Sequence, residues 1–83
     1  MGGMYIKMLN YNIDSVKSAE KLVKLCERYC DIADIDVNCG RHSIDGRSLM
    51  GVISLIGNFV TVNPQTDDQD IIRKFGIDLE GIK

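Results

Sequence analysis

Three cysteines and one histidine are the side chains with which this chain could bind a transition metal. Three residues separate Cys26 from Cys30, and two separate Cys39 from His42, spacings that are typical of zinc-ligand pairs. The segment between the pairs is predicted to be a strand, which at about 3.3 Å per residue places Cys30 and Cys39 roughly 20 Å apart. One ion cannot bind both pairs at that distance. We therefore expect no metal site, and no motif predicts a cofactor.

The sequence contains no set of residues for acid–base or nucleophilic catalysis. His42 is followed directly by Ser43, and successive residues of a strand point to opposite faces, so the imidazole cannot activate that hydroxyl. The acids Asp67, Asp68 and Asp70 begin a predicted helix, where they interact favourably with the helix dipole. Glycine-rich phosphate loops, dinucleotide motifs and nucleophile elbows are absent. The sequence does not predict an enzyme.

Ser48 is a candidate for regulatory modification. It directly precedes an apolar run that predicts a short helix, so its hydroxyl is expected to cap that helix. A phosphate on the same hydroxyl would meet the unpaired N–H groups of the first turn, with Arg47 adjacent. The two roles are compatible, and position alone does not choose between a simple cap and a phosphorylation site.

The helix after Ser48 is more apolar than one buried face requires. Six of the eight residues from Leu49 to Ile56 are apolar. They cover roughly 220° of the helix circumference, whereas a core-facing stripe needs about 100°. An exposed apolar surface of this kind marks a partner site unless neighbouring helices cover it. We expect Val52, Leu55 and Ile56 to point inward and some of Leu49, Met50 and Ile53 to stay exposed.

The elements expected to position these residues follow the order βαββαβα. A helix is predicted from Asp14 or Ser15 to Cys30, because apolar residues recur there at helical spacing. Strands are predicted over residues 5–9, 32–37, 41–44 and 59–63, with the first strand ended by residues 10–12. Thr66 and Gln69 predict a capping box for a last helix that stops at Gly76. The buried face of this helix is expected to comprise Ile71, Ile72 and Phe75.

Composition and length limit the class of protein. The chain has 83 residues, of which 45% are hydrophobic, and these values predict one soluble domain over residues 1–83. Residues 1–3 are expected to precede a natural start at Met4, and residues 77–83 are expected to form a loose tail. A net charge of −2 argues against nucleic-acid binding. The absence of a long apolar run or leader, together with an odd number of cysteines, predicts a cytoplasmic protein without membrane contact.

The run from Gly46 to Leu55 resembles the regulatory-serine motif of HPr, the histidine-containing phosphocarrier protein of the bacterial sugar phosphotransferase system. Many members read Lys-Ser-Ile/Leu-Met-Gly-Val-Met-Ser-Leu, and this chain reads Arg47-Ser48-Leu49-Met50-Gly51-Val52-Ile53-Ser54-Leu55. The order of elements agrees as well, from about Tyr5 to Phe75. The resemblance implies an α+β fold, the HPr-like open-faced two-layer β-sandwich, with a four-stranded antiparallel sheet covered on one face by three helices.

The phosphocarrier motif of that family is missing. HPr carries its phosphoryl group on a histidine within Gly-Leu/Ile-His-x-Arg-Pro-Ala, and the aligned residues here are Ile13-Asp14-Ser15-Val16-Lys17-Ser18-Ala19. Ser15 replaces the histidine, and a phosphoserine is a stable ester that does not pass its group onward. Lys17 replaces the arginine and lacks the bidentate fork that grips a phosphate. The resemblance therefore implies a protein that is not a phosphoryl carrier, with residual transfer through Ser15 as the weakest alternative.

The regulatory half of the family pattern is retained. In the family, HPr kinase phosphorylates the serine, and the phosphoserine face binds a transcriptional regulator of carbon catabolite repression. Carried over, this implies phosphorylation of Ser48, protein partners of these two kinds, and a monomer or weak dimer. The partner-binding residues would be Arg47, Leu49, Met50 and Ile53. The alternative is an HPr-fold interaction module in which Ser48 is only an N-cap and the helix over residues 49–56 binds another partner or itself.

Overall fold

The computed structural model describes residues 9–83, so most of the first predicted strand, residues 5–8, and the expected start at Met4 lie outside the described residues. Seven elements follow in the predicted order βαββαβα, which is confirmed. They are strand β1 (Asn10–Ile13), helix α1 (Val16–Arg28), strands β2 (Ile35–Cys39) and β3 (His42–Asp45), helix α2 (Leu49–Ile53), strand β4 (Asn58–Pro64) and helix α3 (Gln69–Ile82).

The four strands form one antiparallel sheet in the order β1-β4-β2-β3. Strands β2 and β3 make a hairpin whose two-residue turn is Gly40–Arg41. Gly40 adopts a φ of 60°, a left-handed conformation that glycine reaches without strain. Because β4 pairs with both β1 and β2, β1 and β3 are the two edges of the sheet that residues 9–83 form.

Buried and more exposed residues alternate along β1, β2 and β4, which gives the sheet a covered face and an open face. The inward residues of the sheet pack with helical side chains into one core, which includes Tyr11, Ile13, Ile35, Val37, Val60 and Val62. The alternate positions are polar or exposed, and Phe59 on this open face has 74% of its surface accessible. The predicted α+β architecture, a sheet covered on one face by three helices, is confirmed.

Helix α1 is the element that most closely matches its predicted pattern. Its N-cap is Ser15, whose hydroxyl accepts from the backbone N–H of Ser18 at 3.2 Å, and the Ser18 hydroxyl accepts in return from the N–H of Ser15. The predicted stripe is buried, including Leu22 and Cys26. The helix ends at Arg28, two residues before the predicted end, and Cys30 is therefore exposed rather than part of the core.

The start of the sheet differs from the prediction. Residues 10–12 were expected to end the first strand, but they form β1 itself together with Ile13. Tyr11 and Ile13 point into the core, while Asn10 and Asn12 face solvent, so the asparagines do not interrupt the pairing. The ladder extends to Leu9, whose carbonyl accepts from the backbone N–H of Val62 at 2.7 Å. Burial of the alternate apolar residues outweighs the low strand propensity of asparagine.

The prediction of a loose tail over residues 77–83 is wrong, because α3 continues past Gly76 to Ile82. Leu79 is only 1% exposed and continues the apolar stripe of Phe75 by one turn. The N-cap is Asp68, whose side chain accepts from the N–H of Asp70 at 2.9 Å, rather than Thr66. Of the residues expected on its buried face, Phe75 is confirmed, and Ile71 and Ile72 are only partly buried.

A tyrosine at the end of α1 joins this helix to α3. The hydroxyl of Tyr29 donates to the Asp78 carboxylate at 2.6 Å, and its ring packs edge-on against Phe75 with centroids 5.1 Å apart. Arg28 adds an exposed ion pair with Asp78 at 3.7 Å. These contacts hold the two helices together over the sheet.

We predict that the protein loses stability at alkaline pH. Burial raises the pKa of the Cys26 thiol from 9.0 to about 12, and burial with the Asp78 contact raises that of Tyr29 from 10.0 to about 12. Both groups hold their protons more tightly in the folded chain, so their stabilisation is complete below pH 9 and is lost as pH rises towards 12. The free energy of unfolding should fall by up to about 1.4 kcal/mol per pH unit for each group.

Urea titrations at a series of pH values measure this dependence. Near pH 9 the thiol contributes most, because its unfolded-state pKa of 9.0 lies below the value of 10.0 for Tyr29 and for Tyr11, whose pKa burial also raises. Cys26→Ala should therefore make the curve less steep near pH 9. An equally steep decline in the variant would contradict the assignment to Cys26.

Candidate functional site

Ser48 caps helix α2 with an exposed side chain. Its hydroxyl oxygen accepts from the backbone N–H of Gly51 at 3.3 Å, and its carbonyl accepts from the N–H of Val52 at 2.9 Å. The capping role predicted from the sequence is confirmed. Since the cap uses only a lone pair of the oxygen and the residue faces solvent, the hydroxyl stays accessible to a second protein.

Arg47 is held in place by Asp45, a residue that the sequence analysis did not single out. The Asp45 carboxylate accepts from the backbone N–H of Arg47 at 2.9 Å and from its guanidinium at 3.3 and 3.4 Å. The backbone contact first, and then the guanidinium, lower the pKa of Asp45 below its usual value. Both side chains are largely exposed, so the pair adds little stability. It does orient Arg47 towards Asp45. The spacing Asp-x-Arg before a helix could have indicated this local contact.

Gly51 permits the close approach of α2 to strand β3. A Cβ at this position would lie 2.6 Å from the Cγ2 atom of Ile44 and 3.1 Å from the Ser48 hydroxyl. Any side chain would therefore push α2 away from Ile44 and disturb the cap. The glycine in the middle of this apolar helix thus serves packing, despite its cost to helix stability.

The exposed apolar surface at α2 agrees with the expectation that some of Leu49, Met50 and Ile53 stay exposed. Met50 is 80% exposed and Leu49 is 37% exposed, whereas Ile53 is partly buried and packs against the core. Val52 and Leu55 point inward as predicted, but Ile56 is 36% exposed, so the expectation that it points inward is wrong. The reason is that α2 ends at Ile53 rather than at residue 56, and the following turns rotate the chain. Leu49 and Met50 thus form the exposed apolar patch.

Ser15 and Lys17 lie together at the start of α1, away from the core. They line a shallow cavity of about 280 Å³ with residues that include Ser18, Lys21 and Lys83. The Ser15 hydroxyl serves as the helix cap, and the Ser18 hydroxyl also accepts from the N–H of Asp14 at 3.0 Å. The local hydrogen bonds of this segment are therefore those of a helix start.

The cysteines do not come together with the histidine as one metal site. Cys26 is buried in α1, Cys30 is exposed after that helix, and Cys39 lies at the far end of β2 opposite His42. Over residues 9–83, no group of three or more His, Cys, Asp or Glu side chains is placed to hold a metal ion. Burial keeps Cys26 protonated and unreactive, since its pKa is raised to about 12.

Gly46 lies beneath the Ser48 loop and fixes it to the core. Its backbone N–H donates to the carbonyl of Ile35 at 2.8 Å, and a Cβ at this position would lie 2.6 Å from the Cys26 sulfur. The buried thiol that the sequence presented as a possible ligand is therefore a packing partner of this glycine. Ser48 follows two residues later, so the core determines where the cap is placed.

The fold is shared with solved structures of HPr-like proteins. The chain is similar to HPr-C-His from Thermoanaerobacter tengcongensis, with a TM-score of 0.64 and 22% identity over 93% of this chain and 94% of that chain. It is also similar to the Bacillus subtilis catabolite repression protein Crh, an intertwined dimer with a swapped domain. For Crh the TM-score is 0.59 with 20% identity over 99% of this chain and 97% of that chain.

Sequence comparisons add nothing to this structural likeness, because no protein-family model and no curated protein sequence matches the chain. The structural matches confirm the HPr-like fold that the motif around Ser48 implied. In the part of the chain that the structure describes, no helix is both long and apolar enough to cross a membrane.

Proposed function

We propose that this chain is an HPr-like regulatory protein of the phosphotransferase network rather than a phosphoryl carrier, with Ser48 as its phosphorylation site. The observation that carries the proposal is the exposed Ser48 hydroxyl, which caps α2 immediately beside the exposed side chain of Met50. A phosphate at this position adds about two negative charges next to the apolar patch. The modification therefore changes which protein surface the patch can bind.

The start of α1 supports the proposal that the chain is not a phosphoryl carrier. The position that aligns with the phosphohistidine of HPr is Ser15, whose hydroxyl is engaged as a helix cap. A phosphate on Ser15 would form a stable ester, which does not pass its group onward as a phosphohistidine does. We propose that the protein works in the cytoplasm, without catalytic activity or nucleic-acid contact, as a monomer or weak dimer whose partners are HPr kinase and a catabolite-repression regulator.

Intact-mass measurement after incubation with HPr kinase and ATP tests this function. We expect one added phosphate on the natural chain and none on Ser48→Ala, which should lose about 1 kcal/mol of capping energy but remain folded. Ser54→Ala is the matched control, because Ser54 is also exposed and its hydroxyl donates a hydrogen bond to the Gly51 carbonyl. Ser54→Ala should accept the phosphate normally.

Two outcomes of this measurement would contradict the proposal. One is an unmodified chain after incubation with an active kinase, and the other is a phosphate that persists in Ser48→Ala. Incubation with phosphoenolpyruvate and the upstream phosphotransfer enzyme should leave the mass unchanged. A phosphate added at Ser15 under those conditions would show a carrier role.

The alternative function is an interaction module in which Ser48 is only a cap, and the 80% exposure of Met50 favours it. In that case Met50→Glu should abolish association with a partner or with a second copy, while Ser48→Ala leaves association unchanged. Met50 is a better probe than Ile53, because Ile53 packs against the core and its replacement would also destabilise the fold.

A further inference from the structure

The tip of the β2–β3 hairpin places a thiol and an imidazole side by side. Cys39, the last residue of β2, pairs directly with His42, the first residue of β3. Directly opposed residues on antiparallel strands point to the same face, with Cβ atoms about 4.5–5.5 Å apart. The neighbouring pair, Val37 and Ile44, shows that this is the helix-covered face, and Cys39 packs at the border of the core.

Both side chains line one accessible cavity. Its volume is about 480 Å³, and its other walls comprise Ser43, Ile44, Ser54, Leu55 and Asn58. His42 is exposed and Cys39 is partly buried. Among residues 9–83, neither side chain has a hydrogen-bond or ion-pair partner. The sulfur and the imidazole nitrogens can therefore bind a ligand without breaking a hydrogen bond or an ion pair.

A thiolate and a neutral imidazole are preferred ligands of Zn²⁺, at about 2.3 Å and 2.0–2.1 Å. Because the Cβ atoms of directly opposed residues lie about 4.5–5.5 Å apart, the Cys39 sulfur and an imidazole nitrogen of His42 can reach the same ion. A structural zinc site takes four ligands in a tetrahedron, and the described part of one chain offers only these two here. We propose that Cys39 and His42 form a half-site for Zn²⁺ and that a second copy of this chain supplies the other two ligands.

The position of the pair permits this assembly. Strand β3 is an edge of the sheet, and the turn at Gly40–Arg41 ends the hairpin, so a second hairpin can approach without displacing another strand. Two thiolates neutralise the charge of the ion, and two imidazoles complete the tetrahedron without added charge. Neither Cys39 nor His42 belongs to the surface around Ser48, Leu49 and Met50. The zinc proposal is therefore independent of the regulatory role.

Sedimentation velocity of the reduced chain with Zn²⁺ tests the assembly. We expect the 9.3 kDa chain to shift to twice its mass at half an equivalent of zinc and to return to the monomer on addition of EDTA. Calorimetric titration should give one ion for two chains. With Co²⁺ as a spectroscopic probe, the complex should show a thiolate-to-cobalt charge-transfer band together with the visible bands of a tetrahedral site.

Three variants separate the site from other metal-binding or thiol effects. His42→Gln and Cys39→Ser should stay monomeric with zinc, whereas Cys30→Ser, which removes an exposed thiol with no histidine opposite, should dimerise normally. His42 is exposed, so His42→Gln should keep the folded circular-dichroism spectrum. One zinc per chain without association, a dimer that survives EDTA, or zinc-dependent dimerisation of His42→Gln would each overturn the proposal.

Discussion

Replacing Leu79 by alanine should lower the free energy of unfolding by about 2–5 kcal/mol. The side chain is only 1% exposed and belongs to the same core as Phe75, one turn earlier on α3. Truncation removes apolar area from the core and leaves a cavity that the surrounding sheet and helices cannot fill completely. For a small domain with limited total stability, such a loss leaves a large fraction of the chain unfolded on warming.

Ile77→Ala provides the matched control for this prediction. Ile77 lies two residues earlier on the same helix but is 65% exposed, so its truncation should change stability by no more than about 0.5 kcal/mol. Urea denaturation of the two variants and the natural chain measures both values. Equal, small effects would mean that residues beyond Gly76 do not pack as part of the core.

A methyl group at position 46 should destabilise the protein by about 1–3 kcal/mol. In Gly46→Ala the new Cβ would lie 2.6 Å from the Cys26 sulfur and 3.0 Å from the Ile35 carbonyl oxygen. The carbonyl already accepts from the N–H of residue 46, so neither backbone segment can move without lengthening that hydrogen bond. The loop before Ser48 should shift outward, and kinase-dependent phosphorylation should slow as well.

A double-mutant cycle shows whether the sulfur causes this loss. Cys26→Ala removes the atom of closest approach, so the double variant should be destabilised by about 1 kcal/mol less than the sum of the single variants. Gly81→Ala is the control, because no described atom beyond its chain neighbours and its own helix backbone lies within 4 Å of the added Cβ, and alanine favours the helix. Strict additivity between positions 26 and 46 would contradict a steric origin.

The elements that could be predicted from the sequence are those whose own pattern determines their structure. The stripe of α1 and the cap at Ser48 needed no distant contact, and both are confirmed. Strand β1 could not be recognised, because its two asparagines resemble a turn and only pairing with β4 makes them strand residues. Gly76 likewise indicated a helix end, but the packing of Leu79 on the core extends α3 beyond it.

The same distinction applies to the candidate site. Ser48 and Met50 could be identified from a local motif, since capping and exposure depend on nearby residues. The packing of Cys26 against Gly46 depends on the approach of α1 to the loop after β3, and no sequence spacing indicates it. The opposition of Cys39 and His42 follows from the pairing of β2 with β3, and the strands predicted over residues 32–37 and 41–44 did not give that register.

The sheet order has a consequence for the way the chain acquires its structure during synthesis. Strand β1 is made before the other described strands, but its partner in the register Asn10↔Thr61 is β4, which leaves the ribosome only after β2 and β3. The β2–β3 hairpin needs no such wait, because its strands are joined by a two-residue turn. Closing the long loop between β1 and β4 is entropically costly and occurs late. Strand β1 should therefore gain protection from hydrogen exchange later than the β2–β3 hairpin.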